Sequence, residues 1–263
     1  MSLRKNVGLT ILLLVFSTSV LAVPKKITFS CNIDPNPPFV MGSGIDIDWQ
    51  KPGITLEVLK SLEKPLNVEI HFERVPGARV FDWVANNQVE GGFHFSFTPE
   101  RAKVVVYPMK DGEVDPNKRL MSMTYFLYKL KDSPLQWDGT RFQNLDEEIG
   151  ANVGFSIVDD LKKIGVDVHE GTLTKYLMRM LVKKRLGGVV TLETLGDFSI
   201  KSHAQEFRDI VKVTLPIKKK QYYLVLSQKF VKEHPKFAED IWNEIMKIRE
   251  SGKYEEIAEK YAE

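Results

Sequence analysis

Segments with strand-like and helix-like patterns alternate along this chain, and this alternation restricts its fold more than any other feature. In the first hundred residues the order is strand, helix, strand, helix, strand. The segments are 27–33, 53–63, 68–75, 78–87 and 91–95. The helical segments carry apolar residues three and four positions apart, whereas the strand segments are short and bounded by turn residues. Such alternation predicts an α/β fold.

A second α/β series follows an aromatic segment at 121–130. Its strands are predicted at 151–155, 166–169 and 188–192 and its helices at 159–164 and 174–185, and the chain then returns through 211–215 into a strand at 222–226 and two final helices at 235–249 and 254–261. Two series joined by two crossing segments predict two lobes with a cleft between them. Clefts of this kind bind small ligands and close around them by hinge motion.

The first 22 residues are typical of a cleavable signal peptide. Arg4 and Lys5 precede an apolar run at 7–16, and the segment 20–22 suits a signal peptidase. An uncleaved membrane anchor is the alternative, but the apolar run is short for a helix that crosses a bilayer permanently. Cys31 lies well beyond this run and is poorly placed to become a lipid-modified amino terminus. We therefore predict an exported protein.

The charge balance argues against nucleic acid or an anionic membrane surface as a partner. The chain has 37 lysines and arginines against 35 acidic residues, and loss of Arg4 and Lys5 with the signal peptide makes the two counts equal. The single cysteine, Cys31, cannot form an internal disulfide, and its apolar surroundings in sequence predict a buried, inert thiol. The five histidines lack metal-ligand spacing, so we predict neither a metal site nor a cofactor.

Three sequence blocks carry a family resemblance. They are Glu90–Lys103, which contains the block Thr98-Pro99-Glu100-Arg101, the turn Asn36-Pro37-Pro38-Phe39, and the closing segment Ile248–Tyr254. With them the chain resembles the family 3 extracellular solute-binding proteins, the periplasmic receptors of polar amino-acid ABC importers. The resemblance implies a type II periplasmic binding fold, an α/β fold of two lobes. Lobe 1 would comprise residues 23–118 and 219–263, and lobe 2 residues 119–218.

The resemblance assigns Arg101 and Ser96 to the ligand site. In the family, the arginine at this place holds the ligand's α-carboxylate, and a hydroxyl at the position of Ser96 contacts the same group. A guanidinium suits that role because its rigid fork of donors matches a carboxylate. The alternatives are a solvated arginine at a helix start and an ordinary surface serine.

Several positions depart from the family pattern. Leu192 stands where amino-acid receptors carry an acidic residue for the ligand ammonium, and Glu193 lies one residue beyond it. A one-residue shift turns a side chain to the other face of a strand, so Glu193 is an uncertain substitute in the site. Ser156 lies in the segment Gly154-Phe155-Ser156, where the family has glycine-threonine-threonine. Asn36 stands where the family has an aromatic residue beside the first turn. These departures count against an α-amino acid as the ligand.

Further candidates come from a less-characterised branch of the family and from the strands. The branch has a Val-Pro-x-Ala-Arg sequence at the start of its second helix, and Arg79 is the arginine of this motif here. A cation at a helix start interacts unfavourably with the helix dipole. The Arg79 side chain could therefore bind an anionic group of the ligand, pair with a buried acid or simply be exposed. His94 either lines the cleft or is a satisfied core histidine. Phe39 either stacks on the ligand or belongs to the core. The run Lys218–Lys220 is interpreted as a solvated face or a hinge edge.

Together these features predict a periplasmic receptor that captures a small carboxylate-bearing solute. It would act as a monomer and deliver the solute to an inner-membrane ABC permease. The alternative is a sensing module that acts in trans on a membrane receptor. An enzyme is a remote alternative, since relatives of this fold catalyse dehydration or cleave peptidoglycan. Catalysis needs a converging acid and base, and Glu193 and His94 are the only pair to nominate, so we predict no catalytic residues.

Overall fold

The computed structural model describes residues 24–261, and the signal peptide predicted for residues 1–22 lies outside this range. Its strands are β1 (Lys26–Asn32), β2 (Glu69–Val75), β3 (Gly91–Ser96), β4 (Val105–Val106), β5 (Met109–Lys110), β6 (Glu113–Val114), β7 (Met121–Leu130), β8 (Gln136–Trp137), β9 (Phe142–Gln143), β10 (Ile149–Asn152), β11 (Val168–Gly171), β12 (Gly188–Leu192), β13 (Ile210–Lys212) and β14 (Lys218–Ser227). Its α-helices are α1 (Ile54–Lys60), α2 (Glu63–Leu66), α3 (Gly77–Ala85), α4 (Pro99–Ala102), α5 (Ile157–Lys163), α6 (Thr174–Val182), α7 (Glu193–Ser202), α8 (Gln228–Glu233), α9 (Pro235–Glu250) and α10 (Lys253–Glu259). A 3-10 helix covers Pro116–Lys118.

One mixed sheet contains most of these strands, in the order β11-β10-β12-β7-β14-β3-β1-β2. The pairs β1–β2, β1–β3, β10–β11 and β10–β12 are parallel. The sheet therefore has a parallel group at each end, one from each α/β series that the sequence predicts. Parallel strands need crossover helices, which explains why each group alternates with helices along the chain.

The two long strands β7 and β14 join the parallel groups and run antiparallel to each other. Residues 218–222 of β14 pair with β7, and residues 222–226 pair with β3 of the first group. Residues 125–128 of β7 pair with β12 of the second group. The strands predicted at 121–130 and 222–226 are thus confirmed, and they are the segments through which the chain crosses from one group to the other.

The carboxyl-terminal helices return to the beginning of the chain. The predicted apolar stripe of α9, Phe237, Ile241, Ile245 and Ile248, is buried. Helix α10 lies against α1 and α9. Beyond α10, the Tyr261 hydroxyl donates to Glu57 Oε1 of α1 at 2.5 Å. The last part of the chain therefore packs on the first α/β series.

Cys31 is buried in β1, as the sequence predicts. Burial raises the pKa of its thiol to about 12, so the thiol is protonated and unreactive at neutral pH.

In the second series β11 lies two residues after the predicted strand 166–169 and α6 ends before residue 185, but β10 and α7 show the differences with a clear physical cause. Strand β10 ends at Asn152, three residues before the predicted end, because the chain turns at Gly154 with φ of 75°. Helix α7 was not predicted, since it contains Gly196 and several short polar residues of low helix propensity. Packing against β7 stabilises this helix. Because Gly196 has no side chain, the helix backbone lies directly against the ring of Tyr128.

Replacement of Gly196 by alanine tests this packing. A methyl group at position 196 would overlap the ring of the buried Tyr128. The overlap outweighs the gain in helix propensity, so we expect Gly196→Ala to lower the free energy of unfolding by about 1–3 kcal/mol in urea denaturation. Lys201→Ala, on the exposed face of the same helix, should change it by less than about 0.5 kcal/mol. Equal stability of the two variants would contradict this packing.

Candidate functional site

Short α4 places Arg101 beside the end of β3. Thr98 caps the helix by accepting a hydrogen bond from the Arg101 backbone N–H at 3.2 Å, and Pro99 fixes the first turn. Ser96 is the last residue of β3 and lies five residues before Arg101. The block that carries the family resemblance therefore folds into a capped turn that brings Arg101 back toward Ser96.

The Arg101 guanidinium bridges the two parallel groups of the sheet. Its Nη1 donates to the Ser96 carbonyl oxygen at 2.7 Å and to Ser96 Oγ at 3.2 Å, and its Nη2 donates to the Gly154 carbonyl oxygen at 2.8 Å. The guanidinium carbon lies 5.7 Å from the ring centre of Phe95 and 6.0 Å from that of Phe81, in cation–π range. Within residues 24–261 its Nε has no hydrogen-bond partner, so the half-buried group retains donors for a ligand.

Ser96 and Ser156 meet directly. Their Oγ atoms lie 2.6 Å apart, although 60 residues separate them in sequence. The Tyr107 hydroxyl donates to the Ser96 carbonyl oxygen at 2.9 Å, and Lys220 Nζ donates to Ser156 Oγ at 2.7 Å. Three of the candidates, Arg101, Ser96 and Ser156, therefore form one hydrogen-bonded cluster between the two groups of strands.

Two tyrosines extend this cluster into the crossing strands. Tyr125 of β7 and Tyr222 of β14 are buried, and their hydroxyl oxygens lie 2.6 Å apart. Burial raises the pKa of both hydroxyls well above the usual range, so both remain protonated at neutral pH. The tyrosine pair thus adds neutral hydroxyls, which both donate and accept, to the charged contacts of Arg101 and Lys220.

A group of three charged side chains lies next to Ser156. Asp160 of α5 pairs with Lys218 at 2.8 Å and also with Lys220. Burial opposes ionisation of Asp160, but hydrogen bonds from the two lysines outweigh it and lower the pKa of the carboxyl. Burial also lowers the pKa of Lys220, which Asp160 partly offsets. The side chain of Lys220 is only 12% exposed, so the prediction of a solvated face is wrong for this residue.

A cavity of about 270 Å³ adjoins the cluster. It lies between the segments 96–100 and 156–163 and the first residues of β14, and its walls include Ser96, Ser156, Asp160 and Lys220. Its volume is close to the lower end for small-molecule pockets. The serine pair therefore has a small polar space beside it that residues from both α/β series line.

His94 and Phe39 lie together elsewhere in the first series. His94 sits at a β-bulge in β3 with φ of 69°, an uncommon backbone conformation for a residue with a side chain. Its Nε2 lies 2.8 Å from Thr55 Oγ1, and the half-buried Phe39 ring packs edge-on at a centroid distance of 5.9 Å. Burial lowers the pKa of His94 to about 3, so the imidazole is neutral. It is a hydrogen-bonded, aromatic-packed histidine.

Arg79 and Glu193 do not join the cluster. Arg79 is exposed in the first turn of α3, and its side chain has no partner within residues 24–261. The Glu193 carboxylate pairs with Lys212 at 2.8 Å. The next residue, Thr194, instead reaches the first series, where its hydroxyl donates to Asn36 Oδ1 at 2.9 Å.

A buried polar triad in the second series was not predicted from the sequence. Asn152 Oδ1 accepts hydrogen bonds from Thr191 Oγ1 at 2.9 Å and from Thr174 Oγ1 at 3.1 Å. The signal was present: an asparagine ends the otherwise apolar and fully buried β10. Asn152 was not singled out because the predicted strand, 151–155, ends three residues after the observed end of β10.

Neither a metal centre nor a membrane span stands out in the part of the chain that the structure describes. Across residues 24–261, no three His, Cys, Asp or Glu side chains are grouped so that they could hold a metal ion. Over the same residues, no helix has both the length and the apolar character needed to cross a bilayer.

Comparison with protein families gives one match that spans most of the chain. The model of the bacterial extracellular solute-binding proteins, family 3, matches residues 30–263. A search of curated proteins found no match.

Comparison with solved structures gives many matches over the described fold. A histidine kinase sensor domain with similarity to periplasmic binding proteins has a TM-score of 0.71 at 16% identity, over 91% of this chain and 97% of that chain. The arginine-, lysine-, histidine-binding protein ArtJ from Geobacillus stearothermophilus has a TM-score of 0.68 at 14% identity, over 90% and 95%. The ancestral amino acid-binding protein AncCDT-1, a precursor of cyclohexadienyl dehydratase, has 0.64 at 16% identity, over 91% and 96%. These similarities confirm the predicted two-lobed α/β periplasmic binding fold.

The depressed pKa of His94 predicts a pH-dependent stability. Above about pH 6.5 the imidazole is neutral in both the folded and the unfolded chain. Between about pH 6.5 and about pH 3 only the unfolded chain takes up the proton, so the free energy of unfolding falls as the pH is lowered, by up to about 1.4 kcal/mol per pH unit. His94→Asn, which tolerates positive φ, should remove this part of the slope in urea denaturation at several pH values. His71→Asn, at a partly exposed imidazole that contacts Glu69, is the control; a slope unchanged in His94→Asn would refute the assignment.

Proposed function

We propose that this chain, which belongs to the bacterial extracellular solute-binding proteins of family 3, captures a small carboxylate-bearing solute between two lobes and delivers it to an inner-membrane ABC importer. The observation that carries the proposal is the cluster of Arg101, Ser96 and Ser156. A guanidinium with spare donors lies beside two hydroxyls, at the contact between the two parallel strand groups. That arrangement suits a bound carboxylate.

The proposed lobes are residues 23–118 with 219–263, and residues 119–218. Two observations support this division. Strands β7 and β14 are the connections between the parallel groups, and the carboxyl-terminal helices pack on α1. Movement about the two crossing strands would open and close the space around Arg101.

The charges near the cluster favour an anion without an ammonium group. Asp160 is already paired with Lys218 and Lys220, whereas Glu193 shares Lys212 with Asp197. Asp160 therefore already has cationic partners, whereas Arg101 has no carboxylate partner within residues 24–261 and retains donors. The buried Leu192 adds no charge. A carboxylic acid that is not an α-amino acid fits this balance best.

The proposed location is the periplasm, and the proposed form is a monomer that docks on a permease. The residues predicted as a signal peptide, the near-neutral mature chain and the extracellular family support the location. Nucleic acid is not a proposed partner, since the mature chain has equal numbers of basic and acidic residues.

Ligand sensing is the second candidate function. The similarity to a histidine kinase sensor domain favours it, because the same fold serves there in a signalling protein. Here the chain would act in trans on a membrane receptor. Neighbouring genes separate the two functions: a permease and an ATPase favour transport, whereas a lone gene beside a signalling receptor favours sensing.

We do not propose an enzyme, although AncCDT-1 is a precursor of a dehydratase. The one acid–base pair that the sequence offered does not converge. Glu193 is bonded to Lys212, and His94 is bonded to Thr55 within the first series. A general acid and base must both reach the substrate.

Native mass spectrometry of protein purified without denaturation tests the proposal without a prior choice of ligand, because tightly bound solutes copurify with the protein. We expect a small acid to be released on denaturation. Thermal stabilisation by organic acids, amino acids and peptides then ranks the candidates. A chain that neither carries a solute nor gains stability from any of these classes would rule out a solute receptor.

Arg101→Ala tests the role of the guanidinium. It should weaken binding of the identified acid by about 2–5 kcal/mol, roughly 30-fold or more, in isothermal titration calorimetry. Arg101→Lys keeps the charge but loses the fork, so it should restore only part of the affinity. Arg185→Ala, at an exposed arginine of the second series, is the matched control. Unchanged affinity in Arg101→Ala would remove Arg101 from the site.

A further inference from the structure

The two α/β series bond to each other directly at two places. In the sheet, β3 and β1 are neighbours in the first group, and β10 and β12 are neighbours in the second. The cluster of Arg101, Ser96 and Ser156 joins the carboxyl ends of β3 and β10. One strand further along in each group, the segments after β1 and β12 meet through a hydrogen bond from Thr194 Oγ1 to Asn36 Oδ1 at 2.9 Å. This second contact shares no residue with the cluster, and both of its partners are uncharged.

Asn36 is held in place by the backbone of the first series. Its N–H donates to the Val40 carbonyl oxygen at 2.9 Å, and its own carbonyl oxygen accepts from the Val40 N–H at 3.0 Å. Arg74, which is only 4% exposed, donates to five carbonyl oxygens of the surrounding segment 32–46. These bonds satisfy the backbone of the segment and fix its conformation. The acceptor of the second contact is therefore preorganised.

Thr194 is held on the crossing strand β7. It is the second residue of α7, and this helix packs on β7 through Gly196 and Tyr128. The Tyr128 hydroxyl also donates to Asp197 Oδ1 of the same helix at 2.7 Å. Both partners of the second contact thus belong to fixed parts of different series, so separation of the two lobes must break the bond between them.

The second contact forms without a solute. Both partners are side chains of the protein, and both residues are half-buried. Once the exchange of partners with water is counted, a hydrogen bond of this kind shifts an equilibrium by about 2- to 10-fold. It therefore favours the closed arrangement of the lobes even when the site is empty.

We propose that the Thr194–Asn36 hydrogen bond is a latch that holds the two lobes closed on each other while the site is empty. The inference rests on the lobe movement of the proposed function and adds a control of that movement. A solute enters only the open form, so the latch sets the fraction of molecules that are ready to bind. Thr194 and Asn36 are then positioning residues, which act on the solute through the movement of the lobes.

The distance between the lobes in dialysed, solute-free protein tests the latch. Dyes on Lys64→Cys in the first series and Lys183→Cys in the second report it by single-molecule fluorescence energy transfer, and both positions are exposed. The single native cysteine, Cys31, is buried and does not take up a dye. We expect Thr194→Val, which loses the hydroxyl but keeps the shape of the side chain, to lower the ratio of closed to open molecules about 2- to 10-fold.

Two further variants separate the latch from other effects of the substitution. Thr194→Ser keeps the hydroxyl and should keep the ratio of the unaltered protein. Thr140→Val removes a hydroxyl that donates to Asp138 Oδ1 at 2.8 Å within the second series, so it should also leave the ratio unchanged. A ratio that Thr194→Val does not lower, or that Thr140→Val lowers equally, would overturn the latch.

A double-mutant cycle tests the bond itself. Asn36→Ala should lower the ratio as much as Thr194→Val does, and the double variant should lower it no further, because either substitution already removes the bond. Effects that add in the double variant would show that the two side chains act separately, which contradicts a latch. If one of the single variants does not fold, the other still decides the inference.

The latch and the proposed function fail in different ways. The energy-transfer experiment needs no solute. If Thr194→Val opens the lobes but no carboxylate binds the unaltered protein, the latch stands and the proposed function fails. If a carboxylate binds through Arg101 but no substitution of Thr194 or Asn36 changes the ratio, the proposed function stands and only the latch fails.

Discussion

The contact between the two parallel strand groups depends on one guanidinium. Arg101 donates to the Ser96 carbonyl at the end of β3 and to the Gly154 carbonyl after β10, while the Ser96 and Ser156 hydroxyls meet beside it. Carbonyl acceptors do not neutralise its charge, and the aromatic faces of Phe81 and Phe95 do so only weakly. The cluster therefore keeps an uncompensated positive charge at the place where residues from both series converge.

The distribution of acids around this charge gives the site its proposed preference. Asp160 is paired with Lys218 and Lys220, whereas Glu193 and Asp197 share Lys212. The Arg101 guanidinium, in contrast, keeps donors that no residue of the described chain accepts from. An ammonium placed beside the Arg101 guanidinium would meet a like charge, so the cluster itself favours an anionic group of the ligand.

The sequence predicted the elements better than their partners. The apolar patterns predicted β7 and β12 with the same first and last residues that the structure has. They did so because a buried strand is rich in apolar residues, which are visible in the sequence. The nearness of Arg101 to Ser96 followed from the resemblance, and the capped turn at Thr98 explains it. Ser156 contacts Ser96 and Lys220, which lie 60 and 64 positions away in sequence. The periodicity of apolar residues within one helix or strand does not predict contacts between such distant positions. Asn152 was missed for a local reason, the misplaced end of its strand.

The most direct test is a crystal structure of the protein with the solute that native mass spectrometry identifies. The account predicts a carboxylate of the solute within hydrogen-bond distance of the Arg101 guanidinium, beside the side chains of Ser96 and Ser156, with residues of both α/β series in contact with the solute. A solute bound elsewhere, with the Arg101 guanidinium turned to solvent, would contradict it.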